Sequence, residues 1–330
     1  MARPRPLPRV DGKGIIDMHV HVGPEFIMRR YSAASLANEA RREGIGVVMK
    51  NHFQPTTAWV SMVRQQDDEV PLIGAVALNL GCGGIDYHGI RSALSGWKTV
   101  TTDPDPDSAR FVVWMPTVCA ESHLDLYGRK DMDLLWGVDD KYTATISPGD
   151  GLSVFDGVGD LNAGLDRALN LIVQRDLVLA SGHLTGGETK RLIARAHEMG
   201  VRRMVLTYPL WQATEFTPDE AREPYVEYGA YTELCFTNLA MHGIDDFSID
   251  DYMEVIKAVG PDGVILSSDC GQTFTPTVAD CAREFHALLR QAGVSDDDLE
   301  LMSVINPNRV LFEGTLAATH SPATSSTMDS

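Results

Sequence analysis

Short apolar runs alternate along this chain with stretches whose apolar residues recur every three or four positions, which predicts strand and helix in repeated succession. Eight runs read as strands: 14–20, 45–51, 71–79, 111–117, 177–182, 203–208, 230–236 and 263–268. Helical spacing fills 32–43, 56–68, 162–175, 186–199, 218–228, 250–259 and 277–292, with a weaker segment near 87–97. Ser32, Thr56 and Thr277 stand where N-caps belong. Repetition of this unit buries parallel strands beneath a layer of helices, so the expected fold is α/β, a (β/α)8 TIM barrel. A chain of 330 residues accommodates such a barrel of about 250 residues with insertions.

The pattern divides the chain into an N-terminal extension (1–13), the barrel (14–314) and a tail (315–330) whose Ser, Thr and Ala content without periodicity predicts disorder. One stretch breaks the rhythm. Residues 118–160, after the fourth strand, include Tyr127, Trp136, Tyr142 and Pro148 and are too long for an ordinary connection. An insertion at that end of a barrel reads as a lid or substrate wall, as a solvated excursion, or as a surface used for oligomer contacts.

Charge narrows the partners. With 28 basic and 46 acidic side chains the net charge is −18, which repels phosphate backbones and anionic lipid, so neither nucleic acid nor a membrane is expected. No apolar run reaches the roughly 18 residues of a membrane span, and the proline-rich start lacks the apolar segment of a signal peptide. Cys82, Cys119, Cys235, Cys270 and Cys281 are scattered without a C-x-x-C pair and read as reduced thiols of a cytoplasmic protein. The expected partner is a small-molecule substrate, with a homo-oligomer left open.

The chemistry gathers at strand ends. His19 and His21, in Asp17-Met18-His19-Val20-His21, share a strand face and can hold one ion, although HxH alone also suits ordinary strand histidines. Lys50 and His52 repeat the spacing after the second strand, His183 follows the fifth and Asp269 the eighth. Convergence from several parallel strands is how a barrel assembles a site. His19, His21, His183 and Asp269 supply a zinc-type ligand set, and Asp269 is also placed to act as general base. Lys50 reads as a substrate-gripping ammonium or a carbamylated bridge between two metals, and His52 as a ligand or a group that orients the leaving group. Among the remaining histidines, His197 and His286 lie in helical segments, and His320 in the tail. His88, His123 and His242 lie in loops that could reach the site, with His242 the preferred substrate-binding residue of the three.

These motifs resemble the amidohydrolase superfamily: HxH on the first strand, His on the fifth, Asp on the eighth, and a closing Asn306-Pro307-Asn308-Arg309-Val310-Leu311-Phe312 segment. The resemblance spans about 14–314 and implies a metal-dependent barrel with His19, His21, His183 and Asp269 as ligands. Two departures mark an atypical branch. Tyr208 stands where a sixth-strand histidine is expected, and Lys50 lies on the second strand, whereas the bridging lysine of binuclear members lies on the fourth. A site with one Zn2+ or Mn2+ ion is the simpler reading, with a second ion, bridged through Lys50 or Glu121, left open. The expected activity is hydrolysis of a C–N or C–O bond in a cyclic amide, imide or lactone by metal-activated water, with Tyr208 binding substrate. The alternative is non-oxidative decarboxylation of a small aromatic or unsaturated carboxylic acid.

Overall fold

The computed structural model describes residues 7–10, 12–26, 28–65, 68–97, 110–127, 151–156, 158–240 and 247–313. An antiparallel pair, β1 (Arg9–Val10) and β2 (Lys13–Gly14), leads into the strands that build the interior. These are β3 (Ile16–His21), β4 (Gly46–Lys50), β5 (Leu72–Ile73), β6 (Ala75–Ala77), β7 (Val112–Trp114), β8 (Val178–Ala180), β9 (Met204–Thr207), β10 (Tyr231–Cys235) and β11 (Val264–Ser267). Each of the eight predicted strand runs overlaps at least one of them. Helices follow at Ala33–Glu43, Thr57–Val63, Tyr87–Gly96, Ala163–Gln174, Gly186–Met199, Pro218–Tyr228, Ile249–Val259 and Val278–Gln291. Their starts and stops follow local chemistry: Ser32 accepts from Ser35 N, Thr277 accepts from Asp280 N, and Gly44 and Gly200 end their helices in the left-handed conformation.

Among the described residues, interior pairing is parallel throughout, but the strands form two sheets, β3-β4-β5 and β6-β7-β8-β9-β10-β11, rather than one ladder round a closed ring. Side chains occupy both gaps. Thr56, expected as a helix cap, makes no side-chain cap; its hydroxyl donates to Met49 O at 2.6 Å and accepts from Ala75 N at 2.8 Å, so it stands between β4 and β6. Gly74 separates β5 from β6, and a Cβ there would lie 2.6 Å from the Cα of Thr57. At the other gap, Asp17 Oδ1 accepts from Ser268 N and from His19 N, each at 3.0 Å. There a single parallel bridge, Val20 to Cys270, includes a 2.7 Å hydrogen bond from His21 N to Cys270 O.

Strands buried on both faces explain the continuous apolar runs. Val48 packs into one apolar cluster with Ile73, Val113 and Leu179, whereas Val47 and Met49 join another with Leu36, Val60 and Phe285. The helix expected from the 306–312 motif is present at Asn306–Phe312, entered through a π-helical turn at Leu301–Ile305. Most of the 118–160 stretch, the 315–330 tail and His242 lie outside the described residues.

Candidate metal and catalytic site

The site lies where parallel strands end. On β3 the register slips by one residue between Asp17 and Val20, and beyond the slip His21 pairs with Lys50 across β4. This brings His19, His21 and Lys50 to one place. His19 Nε2 is 2.8 Å from Lys50 Nζ, 3.2 Å from Asp269 Oδ1 and 3.3 Å from the Tyr208 hydroxyl. His21 Nε2 is 2.9 Å from the same Asp269 oxygen. Asp269 Oδ2 accepts a 2.9 Å hydrogen bond from Thr237, which fixes the carboxylate plane.

Two site residues adopt backbone geometry that side chains seldom accept: Tyr208 has φ 51° and Asp269 φ 55°. Glycines make room beside them. Gly271 (φ 118°) passes so close to His21 that a Cβ would lie 2.2 Å from its carbonyl oxygen. Gly182 (φ 66°), which turns the chain into His183, would set a Cβ 2.5 Å from the carbonyl oxygens of Met115 and Pro116.

Burial dominates the electrostatics. It holds His19, His21, His52 and His183 well below the ordinary imidazole value, and Lys50 adds to the effect at each. These rings are therefore neutral, and each has one ring nitrogen whose lone pair can accept a hydrogen bond or bind a cation. Burial also lowers the Lys50 ammonium to about 8, while Lys50 rests 4.0 Å above the Trp114 ring. The Tyr208 hydroxyl is pushed well above its usual value by burial and by Asp269, so it keeps its proton. Glu233 and Asp17 are each raised to about 7 by burial.

Most of the residues singled out from the sequence converge. His52 faces His21 with ring centroids 4.6 Å apart, and its Nδ1 lies 2.8 Å from the Thr117 hydroxyl. Ligand-type atoms of His19, His21 and Asp269 lie within 4.8 Å of one another; His183 is not in that group. Its ring is 5.5 Å from Tyr208 and 6.5 Å from His52, and its Nδ1 is 2.9 Å from His123 Nδ1. His123 therefore borders the site from helix Glu121–Tyr127, whereas His88 and His197 are exposed and His286 is buried under the strands.

Glu233, Glu25, Trp211 and Trp114 also border the site, and no motif in the sequence marks them. Glu233 Oε2 lies 3.3 Å from His19 Nδ1, and a charged residue inside an apolar strand run was the available signal. Glu25 accepts a 3.0 Å hydrogen bond from His52 N and pairs with Arg29, and with His21 and His52 it forms a second ligand-type group. Trp211 packs 4.9 Å from His183.

Solved structures of similar fold are amidohydrolase-type proteins at low identity. A probable 2-pyrone-4,6-dicarboxylic acid hydrolase from Acinetobacter baumannii, with citric acid bound, is 13% identical over 90% of this chain and 98% of its own, with TM-score 0.53. An amidohydrolase from Mycoplasma synoviae is 14% identical over 92% of this chain and 89% of its own, with TM-score 0.49. Amidohydrolase 2 from Bifidobacterium longum subsp. infantis is 12% identical over 90% of this chain and 97% of its own, with TM-score 0.47. No curated protein matches the sequence. Residues 14–233, which run from the start of the first predicted strand through Glu233, match one family description, and the chain accordingly belongs to the family of unknown function DUF6282.

Proposed function

We propose that this protein is a metal-dependent hydrolase of a small molecule, acting on a C–N or C–O bond at the ends of strands arranged as a (β/α)8 barrel. One observation carries the reading. Ligand-type atoms of His19, His21 and Asp269 crowd together, with Asp269 Oδ1 2.9 Å from His21 Nε2 and 3.2 Å from His19 Nε2. Imidazole nitrogens and a carboxylate oxygen brought this close together are what ligands aimed at a shared point look like. Two neutral imidazoles and a carboxylate are a donor set suited to Zn2+ or Mn2+. A divalent cation bound there supplies Lewis acidity and makes water a better nucleophile near neutral pH.

The chain's own residues then divide the work. Asp269, with 13% of its side chain exposed, is the group open to a water molecule and serves as general base, with Thr237 holding its other oxygen in place. Tyr208 keeps its proton and donates a hydrogen bond to charge developing on the substrate, in the position where a histidine was expected from the sequence. Lys50 and His52 line the same space; Lys50 grips an acidic group of the substrate and His52 orients the leaving group. His183 serves as a further ligand, with His123, 2.9 Å from its Nδ1, holding its ring.

The cation at Lys50, 2.8 Å from His19 Nε2, also favours a second reading, in which the substrate is a carboxylic acid that loses carbon dioxide. An assay of cyclic amides, imides and lactones beside aromatic and unsaturated carboxylic acids, read by ring opening and by carbon dioxide release, separates the two. Ring opening without carbon dioxide supports the hydrolase. Carbon dioxide release without ring opening replaces it with the decarboxylase.

A further inference from the structure

Glu233 is a carboxylate in the middle of a strand, with no exposed side-chain surface, and its position is not explained by the ligand set itself. Burying a carboxylate is costly unless it is paired and hydrogen-bonded. Here both its oxygens have partners. Oε1 accepts a 2.7 Å hydrogen bond from Ser267 on β11, and Oε2 lies 3.3 Å from His19 Nδ1. Alternation along β10 points Glu233 and Cys235 to the same face, and the Cys235 sulfur lies 3.7 Å from the same ring nitrogen.

A neutral imidazole carries one N–H, and the partner of one nitrogen decides which atom offers its lone pair. We propose that Glu233 is the positioning residue of His19: by accepting the Nδ1–H it leaves the Nε2 lone pair turned toward His21 and Asp269. Ser267 holds the carboxylate so that it cannot rotate away. Carboxylate–histidine pairs of this kind set the orientation and basicity of a ligand ring in metal sites generally. The inference rests on the proposed role of His19 as a ligand. The competing arrangement is that His19 Nδ1, Glu233 and Cys235, which also form a ligand-type group, hold an ion themselves.

The test uses cobalt(II) titrated into the metal-free full-length chain, followed by its visible spectrum and by competition with a chromophoric chelator. Wild type is measured first: absence of tight cobalt binding contradicts the proposed metal site itself, and this inference with it. Given binding by wild type, Glu233→Leu is expected to raise the cobalt Kd about 10–100-fold, with Glu233→Gln, which keeps an acceptor, in between. Ser267→Ala, a milder change that still folds if the buried Glu233 variants do not, is expected to weaken binding in the same direction and less. Unchanged affinity in Ser267→Ala and in every Glu233 variant that folds overturns the proposal. An intense near-ultraviolet thiolate-to-cobalt band in wild type also overturns it, because that would make Cys235 and its neighbour Glu233 ligands.

Discussion

His21 Nε2 and Asp269 Oδ1 sit 2.9 Å apart at the ends of the first and last interior strands, joined where the two sheets meet. The backbone hydrogen bond from His21 N to Cys270 O, 2.7 Å long, holds the two side chains in register. If Asp269 is the general base, Asp269→Asn should keep much of the metal and lose at least ~100-fold in turnover on any substrate the wild type uses. Wild-type turnover in that variant would assign Asp269 to structure alone.

Lys50 should matter far more than a lysine on the surface. Lys190, 40% exposed and paired with Glu220, is the control. An ammonium that grips substrate predicts that Lys50→Ala raises KM while metal content stays. A carbamylated bridge predicts instead that metal content falls by about half and that bicarbonate aids reconstitution of wild type. Unchanged kinetics and unchanged metal together would remove Lys50 from the site.

Gly182→Ala should destabilise the fold and disturb His183. The left-handed backbone alone costs on the order of 1–3 kcal/mol for a side chain, and the added Cβ would meet two carbonyl oxygens at 2.5 Å. Thermal unfolding reads the loss directly; a melting temperature equal to wild type contradicts the tight turn described for this residue.

Acid should unfold the protein partly through His286. Burial, with Arg290 adding to it, lowers this imidazole from 6.5 to about 4. The unfolded chain therefore takes up the proton first, and stability is lost as pH falls through the window from 6.5 to about 4. The share lost is on the order of 3 kcal/mol. Denaturant midpoints measured across that window should fall less steeply in His286→Gln than in wild type. Parallel slopes in the two proteins would contradict this role.

The strands were legible because parallel strands buried on both faces leave unbroken apolar runs, and Gly46–Lys50 and Val264–Ser267 are examples. The nearness of His19 and His21 was legible too, because a two-residue spacing along one strand keeps both side chains on one face. What could not be read was how the sheets meet. Thr56 looks like a helix cap by position, but its hydroxyl goes to strand carbonyls, a choice made by neighbours distant in the chain. The roles of Asp17 and Glu233 were unreadable for the same reason. Their partners, Ser268 just past β11 and His19 on β3, are distant from them in the chain.

The central claim is that His19, His21 and Asp269 hold a divalent cation. Elemental analysis of the purified chain, wild type beside His19→Ala, His21→Ala and His183→Ala, tests it most directly, with circular dichroism confirming that each variant folds. The account predicts zinc or manganese bound to wild type and lost from His19→Ala and His21→Ala, with His183→Ala also depleted and the fold retained, because a large core and not the metal maintains it. Full metal occupancy in all three folded variants would contradict it.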